Sequence, residues 1–246
     1  MDRLLYISMS GAKESLRAQA ANNHNLANVS TTGFRADLSA FQSRAVDGAG
    51  YHSRVYATDS TTGWKDASGA LISTGNPLDV AVHGQGWIAV QARDGTEAYT
   101  RAGDLRIDPS GMLTNASGHP VLGDGGPITI PPSVALNVAP DGSISIVPLG
   151  QGPETSAVVG RIKLVNPPKE QMIRGEDGLF RVQDGSTAEA DASVKLATGN
   201  LESSNVNAAD ALVTMIELAR RFDLQVKAIR SAEDTGAAST QLLRMI

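Results

Sequence analysis

A polar stretch at 21–37, "ANNHNLANVSTTGFRAD", holds the residues whose types and spacing are best suited to chemistry. Its asparagines and hydroxyl groups could bind a ligand through hydrogen bonds, and a histidine there could act as a base or bind a metal. The histidines of the chain, however, show no close pairing with one another or with an acid at the spacing of metal ligands: His24, His52, His83 and His119. The sequence therefore predicts no metal site and no catalytic dyad.

Two glycine-rich stretches, "HGQGW" at 83–87 and "GDGGP" at 123–127, resemble phosphate-binding loops only in composition. A phosphate loop binds its ligand through the amide groups at the start of a helix that follows a strand. Neither stretch opens a helical pattern, so both are predicted to be tight β turns.

The acidic residues of the middle of the chain give no sign of a catalytic pair. No "GxSxG" nucleophile motif is present, and most of these acids stand in turn-forming contexts, where an aspartate bonds its own backbone: Asp94, Asp104, Asp108, Asp124 and Asp141. We therefore predict no catalytic residue and no cofactor. Two convergent carboxylates, as a glycosidase needs, are not recognisable from sequence, so a β-domain enzyme acting on cell walls, with helical dimerisation arms, is the alternative.

Composition narrows the possible partners. The 246 residues carry a net charge of -5 and no sizeable basic block, which argues against nucleic acid and anionic lipid as partners. With no cysteine there is neither a disulfide framework nor a thiolate metal site. The apolar run "LLYISM" at 4–9 is short and follows Asp2, so we expect no signal peptide, no membrane insertion, and export by a route that reads no cleaved signal.

Apolar residues at three- and four-residue steps predict a helix at each end of the chain. The first stripe is Leu5, Met9, Ala12 and Leu16, continuing weakly to Leu26; the second is Ala209, Leu212, Ile216, Ala219, Phe222, Val226 and Ile229. Asn207 is a plausible cap for a helix that runs to Ile246, bent or frayed near Gly236. Because so long a helix needs a partner, we expect the two ends to pair antiparallel.

A regular two-stranded coiled coil is not expected to satisfy the second stripe alone, since Asp223 and Arg230 would fall on strict seam positions. Other copies of the chain are therefore predicted to cover the rest. All 11 prolines lie between Pro77 and Pro168, where short alternating segments separated by "DG", "DPSG" and "PDG" turns predict antiparallel hairpins.

The sequence thus predicts an α+β fold in which paired, coiled-coil-like terminal helices flank a central, mainly antiparallel β domain. The predicted segments are the N-terminal helix at 1–34, an extended connector at 35–76, the β domain at 77–200 and the C-terminal helix at 201–246.

The polar stretch is then interpreted as a structural joint. It ends the first helix, and asparagines three residues apart could offer carboxamides to a neighbouring helix without burying charge. The predicted assembly interface consists of the apolar stripes and this joint: Leu5, Met9, Leu16, Asn22, Asn25, Leu26, Asn28, Gly33, Phe34, Leu212, Ile216, Phe222, Val226 and Ile229.

Several long motifs, in order, resemble those of bacterial flagellar axial proteins. "NNHNLANVSTTGFRADLSAF" is similar to the family's N-terminal signature, and "GALISTGNPLDVAVHGQGWIAV", "AYTRAGDLRIDPSGMLTNASGHPVLGDGGPITIP" and "GNLESSNVNAADALVTMIELARRFDLQVKAI" follow it. The chain departs from the signature at His24, which is inserted, and at 29–32, which lacks the usual proline. The absence of large inserted domains makes a rod protein the nearest match, with the proximal-rod subfamily first and the distal-rod subfamily as the alternative.

The resemblance implies a non-enzymatic building block of the flagellar basal-body rod. Such a protein would be exported unfolded, without a cleaved signal peptide, by the flagellar type III export apparatus and would assemble in the periplasm into the shaft that transmits motor torque to the hook. Its partners would be other copies of itself and other rod proteins, with no nucleic acid and no small-molecule substrate. A coiled-coil adaptor that binds other proteins without polymerising is a further alternative.

Overall fold

The computed structural model describes residues 2–45, 55–150 and 155–243, and the chain divides into two compact units. The helical unit consists of Met1–Val29, Ala36–Lys65 and Val206–Ile246; the β unit consists of Ser30–Arg35 and Asp66–Asn205. The predicted α+β class, with a helix at each end and a central antiparallel β region, is confirmed.

The terminal helices are α1 (Asp2–Ala27) and α2 (Ala208–Leu243). The Asn22 side-chain amide donates to the carbonyl of Ala211, at 2.8 Å, whereas Gly11 lies against the side chain of Gln225. Residue numbers thus fall along one helix as they rise along the other, so the pair is antiparallel, as predicted.

The start of α2 and its course near Gly236 test two predictions, the cap at Asn207 and a bend or fraying near Gly236. Asn207 Oδ1 accepts a hydrogen bond from the Ala209 amide at 3.0 Å, which confirms the predicted cap. The helix continues through Gly236, and the Thr240 hydroxyl donates to the Gly236 carbonyl at 3.0 Å. No fraying occurs there because a single glycine lowers helix stability by only about 1 kcal/mol relative to alanine.

The seam between the helices is more regular than expected. Along α2, the less exposed positions alternate at steps of four and three, which is the heptad pattern of a coiled coil: Ala211, Met215, Leu218, Phe222, Gln225, Ile229 and Ala232. On α1 the buried positions Ser8, Ser15 and Asn22 recur every seven residues. The sequence prediction missed this seam because it followed large apolar side chains, whereas many seam residues are small or polar.

A β hairpin occupies much of the segment that was predicted to be an extended connector. Strands β1 (Asp37–Ala45) and β2 (Val55–Trp64) pair antiparallel from Ala45 opposite Val55 to Asp37 opposite Trp64, with an irregularity after Asp37. Both strands contact α1. The low apolar content suggested a connector, but threonine, tyrosine and valine favour a strand, and helix α1 supplies the surface on which the hairpin packs.

The β unit is built from short strands. They are β3 (Leu71–Ser73), β4 (Val80–His83), β5 (Trp87–Gln91), β6 (Glu97–Thr100), β7 (Leu105–Ile107), β8 (Leu113–Asn115), β9 (Leu122–Gly123), β10 (Gly126–Pro127), β11 (Ser133–Val138), β12 (Ser143–Pro148), β13 (Ala157–Arg161), β14 (Leu164–Val165), β15 (Met172–Arg174), β16 (Phe180–Val182), β17 (Lys195–Thr198) and β18 (Asn200–Glu202). One 3-10 turn, Lys169–Gln171, precedes β15.

These strands form a five-stranded sheet in the order β14-β5-β6-β16-β15, a three-stranded sheet β11-β12-β13, and the pairs β17-β4, β18-β3, β7-β8 and β10-β9. Every one of these pairings is antiparallel. The turn predicted at "GDGGP" is confirmed, because Gly123 pairs with Gly126 in β9-β10. Strand β18 and residues 203–207 precede α2, so the C-terminal helix begins at Ala208 and not at 201.

A single hydrophobic cluster joins the sheets of the β unit. It includes residues from the five-stranded sheet, the three-stranded sheet and the small hairpins, among them Ile88, Leu113, Val121, Ile144 and Ile162, each at most 1% exposed. Sheets that would be too small to be stable alone thus share one core.

Replacing Ile144 by alanine should therefore lower the free energy of unfolding of the β unit by about 2–5 kcal/mol, because it opens a cavity in a closed core. Urea unfolding followed by tryptophan fluorescence measures this loss. Val158→Ala, on the neighbouring strand at an exposed position, is the control and should cost less than about 0.5 kcal/mol. Equal losses for the two variants would contradict the assignment of the core.

Candidate assembly interface

The polar stretch joins α1 to the hairpin within the helical unit. The Asn25 side chain bonds the backbone of Asp37 twice, donating to its carbonyl at 2.9 Å and accepting from its amide at 2.7 Å. His24 Nδ1 lies 2.7 Å from the carboxylate of the same residue. Since Asp37 is the first residue of β1, these contacts hold the start of the hairpin against the last turns of α1, and they assign His24 a place in the joint.

The three predicted carboxamides all bond groups of their own chain. Besides Asn22 with Ala211 and Asn25 with Asp37, the Asn28 amide donates to the His24 carbonyl at 2.9 Å, one turn back along the helix. The predicted role of these asparagines toward a neighbouring copy stays a prediction.

Gly33 and Phe34 lie in the β unit, where the chain passes under strand β18. Gly33 has a φ of 67°, and its amide donates to the Glu202 carbonyl at 2.8 Å. A Cβ atom on Gly33 would come within 2.3 Å of the Arg101 carbonyl carbon, so only glycine fits. The Phe34 ring is buried, with the Arg174 guanidinium 4.5 Å from its centroid.

A buried cluster of three charged residues, which we call the Glu202 cluster, lies next to this passage. The Glu202 carboxylate is 2.9 Å from Arg35 Nη2 and 2.9 Å from Arg101 Nη1, and its Oε1 accepts the Gly69 amide at 3.0 Å. Arg35 also donates to the Ala67 carbonyl. Burial lowers the pKa of Arg35, Glu202 opposes that shift, and the neighbouring Arg101 charge adds to it.

Arg35, Glu202 and the bonded residues Ala67 and Gly69 stand close in sequence to three of the points at which the chain passes between the units. The chain crosses after residues 29, 35, 65 and 205. Near these crossings, the Asn205 amide donates to the Phe34 carbonyl at 3.2 Å, and its side chain donates to the Ala67 carbonyl at 2.7 Å. Within the β unit, the cluster and Asn205 therefore join the segments at 33–35, 67–69 and 202–205. The sequence prediction missed Arg35, Arg101 and Glu202, because a charged residue gives no sequence signal that its site is closed to solvent.

The predicted apolar interface residues fall into two groups. Phe222 and Ile229 belong to the seam, and Leu5, Leu26 and Val226 are half-buried. In contrast, Met9, Leu16, Leu212 and Ile216 are about half exposed or more in the single chain. The residues of the stripe predicted along α2 are spaced on average by fewer than the 3.6 residues of one helical turn. Successive residues of the stripe therefore shift around the helix, from the exposed face into the seam. Ile216, Asp223 and Arg230, seven residues apart, share that exposed face.

Many acidic groups of the β unit are engaged in turns and ion pairs. The carboxylates of Asp94, Asp108 and Asp141 accept hydrogen bonds from the amide and hydroxyl groups two residues later, which lowers their pKa. This confirms their predicted turn roles. Within the described part of the chain, no group of three or more potential metal ligands occurs.

Two sites come nearest to the carboxylate chemistry of a glycosidase. Glu97 and Asp124 line a cavity of about 310 Å³, but both Glu97 oxygens bind Lys163 Nζ, at 2.8 and 2.9 Å. Burial raises the pKa of Asp104, and the negative charge of Asp79, which pairs with Asp104 in an antiparallel bridge, adds to this shift. Structural carboxylates show such pKa shifts as well, so the raised pKa of Asp104 does not by itself identify a catalytic residue.

Comparison with known proteins places these features in a family. The model of the flagellar hook protein FlgE/F/G D1 domain matches residues 81–146, and the flagellar basal body rod FlgEFG C-terminal model matches residues 197–242. The chain is 43% identical to the flagellar basal-body rod protein FlgF of Salmonella typhimurium (strain LT2) and, equally, to that of Escherichia coli (strain K12), over the full length of each chain. The chain belongs to the family of flagellar basal-body rod proteins.

Similarity to the other rod subtype is lower. The chain is 33% identical to the flagellar basal-body rod protein FlgG of Buchnera aphidicola subsp. Acyrthosiphon pisum, with 94% of this chain and 97% of the relative covered. The first region matched by a family model lies in the β unit, and the second covers the end of the β unit and most of α2. Residues 81–146 run from β4 to β12, and 197–242 contain Glu202 and almost all of α2. Among the described residues, no helix is long and apolar enough to cross a membrane.

Replacing Glu202 by glutamine should lower the free energy of unfolding of the β unit by about 3–5 kcal/mol. The change keeps the side-chain volume but leaves two buried guanidinium groups without their carboxylate. Urea unfolding of the full chain measures the loss. Glu189→Gln, at an exposed carboxylate of the same unit, is the control and should change little. A loss below 1 kcal/mol for Glu202→Gln would show that the cluster does not hold the crossing segments.

Proposed function

We propose that this chain is a structural subunit of the flagellar basal-body rod, of the proximal-rod type, which assembles with other copies through its terminal helices. The observation that carries the proposal is the placement of apolar residues on the helix pair. Small and polar residues fill much of the seam, whereas Leu212, Val213 and Ile216 are exposed on α2, and Tyr6, Met9 and Leu16 on α1. A pair with this arrangement leaves several large apolar side chains on its outer surface, where a neighbour can cover them.

Energetics favour assembly over an isolated helix pair. Fixing each residue of a helix costs about 1–2 kcal/mol of backbone entropy, and a seam that contains Ser8, Ser15 and Asn22 buries little apolar area in return. Covering one large exposed apolar side chain contributes about 1.5–3 kcal/mol. Neighbouring copies thus supply the burial that the single chain lacks.

The relatives support the proposed subtype and setting. Full-length identity of 43% to proteins named FlgF, against 33% to one named FlgG, supports the proximal over the distal rod. In this proposal the chain is exported by the flagellar type III apparatus without a cleaved signal peptide, assembles in the periplasm beside other rod proteins, and transmits torque to the hook. It acts as a building block and not as an enzyme.

The rival enzyme function is tested by a peptidoglycan-degradation assay on the purified full chain. We expect no release of soluble fragments. Release that disappears in Asp104→Asn, the variant that removes the carboxyl with the raised pKa, would favour the enzyme. A coiled-coil adaptor is distinguished by size measurements of the chain alone and with rod proteins, since an adaptor forms complexes of fixed size and a rod subunit forms extended polymers.

Replacing Leu212 and Ile216 together by serine should abolish incorporation into basal bodies while the β unit still folds, because both side chains lie on the exposed face of α2. Incorporation is measured in purified basal bodies, and folding by urea unfolding. The matched control, Val134→Ser with Val158→Ser, removes two exposed apolar side chains from the β unit and should leave incorporation unchanged. Normal motility of cells that carry the first variant would refute the proposal.

Amide exchange on the monomer tests the energetic argument. We expect weak protection at residues 5–26 and 208–230 and strong protection in the β-unit core, because the helices gain most of their burial on assembly. Protection of the helices equal to that of the core would show that the pair is stable without neighbours.

A further inference from the structure

A groove in the helical unit runs between α1, α2 and strand β1. Its volume is about 320 Å³, and three elements line it, with Asp37, Leu38 and Phe41 from β1 and Glu217, Leu218 and Arg221 from α2. Leu38 and Phe41 are 42% and 46% exposed. An apolar wall with charged groups at its edge is the kind of surface that accepts an amphipathic helix.

The outward face of α1 has the matching character. Tyr6, Met9, Lys13 and Leu16 follow one another at steps of three, four and three residues, so they share one face, and all four are exposed. Met9 and Leu16 are about half exposed, at 52% and 49%. This face lies away from the seam positions Ser8 and Ser15, so pairing with α2 leaves it uncovered.

We propose that this face of α1 in one copy docks in the groove of a second copy. This docking would be the contact through which the proposed rod subunit assembles, so the inference rests on the proposed function. Met9 and Leu16 pack on Leu38 and Phe41, and Lys13 lies beside Glu217.

Charge supports this pairing. The groove carries two carboxylates, Asp37 and Glu217, against one guanidinium, Arg221, and His24 already shares the Asp37 carboxylate. On the α1 face, Arg17 pairs with Glu14 of its own helix at 3.2 Å. Lys13 is thus the cation that the docked face brings to the acidic edge of the groove, and Glu217 is the exposed acid that it meets.

The two surfaces consist of different residues, so one copy can use its face with one neighbour and its groove with another. Each copy offers one face and one groove, and a head-to-tail contact that does not close on itself propagates into a helical assembly. An open, propagating contact of this kind suits a rod subunit.

Because the chain contains no cysteine, engineered thiols report this contact directly. The double variant Met9→Cys/Phe41→Cys, oxidised in purified basal bodies, should give disulfide-linked copies as a ladder of dimer and higher species, since a disulfide needs Cα atoms within about 7 Å. Met9→Cys/Val158→Cys is the matched control and should give none. Incorporation of the first variant without cross-links, or a cross-link to a protein other than this chain, would overturn the docking proposal.

Charge exchange tests the same contact without thiols. Lys13→Glu and Glu217→Lys should each lower incorporation roughly five- to tenfold, and the double exchange should restore it. Lys227→Glu, at an exposed lysine of α2 outside the groove, is the control and should be neutral. Losses that add up in the double variant would overturn the pairing. If the unmodified chain is itself absent from purified basal bodies, the rod function fails; if it is present but the pairing fails, only the docking contact is wrong.

Discussion

Glu202 binds Arg35 and Arg101 at a place closed to solvent, and the organisation of the β unit depends on this cluster. Charged side chains removed from water are tolerated when they pair with opposite charges, and here Glu202 binds both guanidinium groups. The buried Nε atoms of Arg35 and Arg101 have no hydrogen-bond partner among the described residues. The three residues come from the segment after α1, from the segment after β6 and from β18. Because they are far apart in sequence, the cluster forms only when the unit has closed, and it then holds the crossing segments of the chain in place.

Close backbone packing around the cluster also holds these segments in place. At Gly69 a Cβ atom would come within 1.9 Å of the Ser203 carbonyl oxygen, and at Gly33 it would meet the backbone of Arg101. These glycines allow the segments that enter and leave the unit to lie in direct contact. Backbone that is packed this tightly, around charges that must stay paired, cannot shift by small amounts without losing several interactions together.

The helical unit follows a different rule, since its seam mixes large apolar residues with small and polar ones while other large apolar residues are exposed. A coiled-coil seam usually takes the largest apolar residues, yet here Leu212 and Ile216 are exposed while Ala211 and Leu218 face the partner helix. Sequence reading therefore identified the two helices, their antiparallel pairing and the cap at Asn207. It also took Asp223 and Arg230 for seam positions, and both are exposed, whereas Phe222 and Ile229 of the predicted stripe do lie in the seam. Periodicity alone could not locate the seam, because the apolar pattern of α2 begins on an exposed face and passes into the seam.

Local patterns by themselves determined the α+β class, the helical ends, the β character of the middle and the turn roles of Asp94, Asp108 and Asp141, since each of these depends on residues within one or two turns of chain. Motifs in order also determined the family. The tertiary structure alone decided the pairing of β1 with β2, the heptad seam, the contact of His24 with Asp37 and the Glu202 cluster. Each of these joins residues that are distant in sequence, and which of them meet is set by burial and packing in the folded chain, not by the character of any segment taken alone.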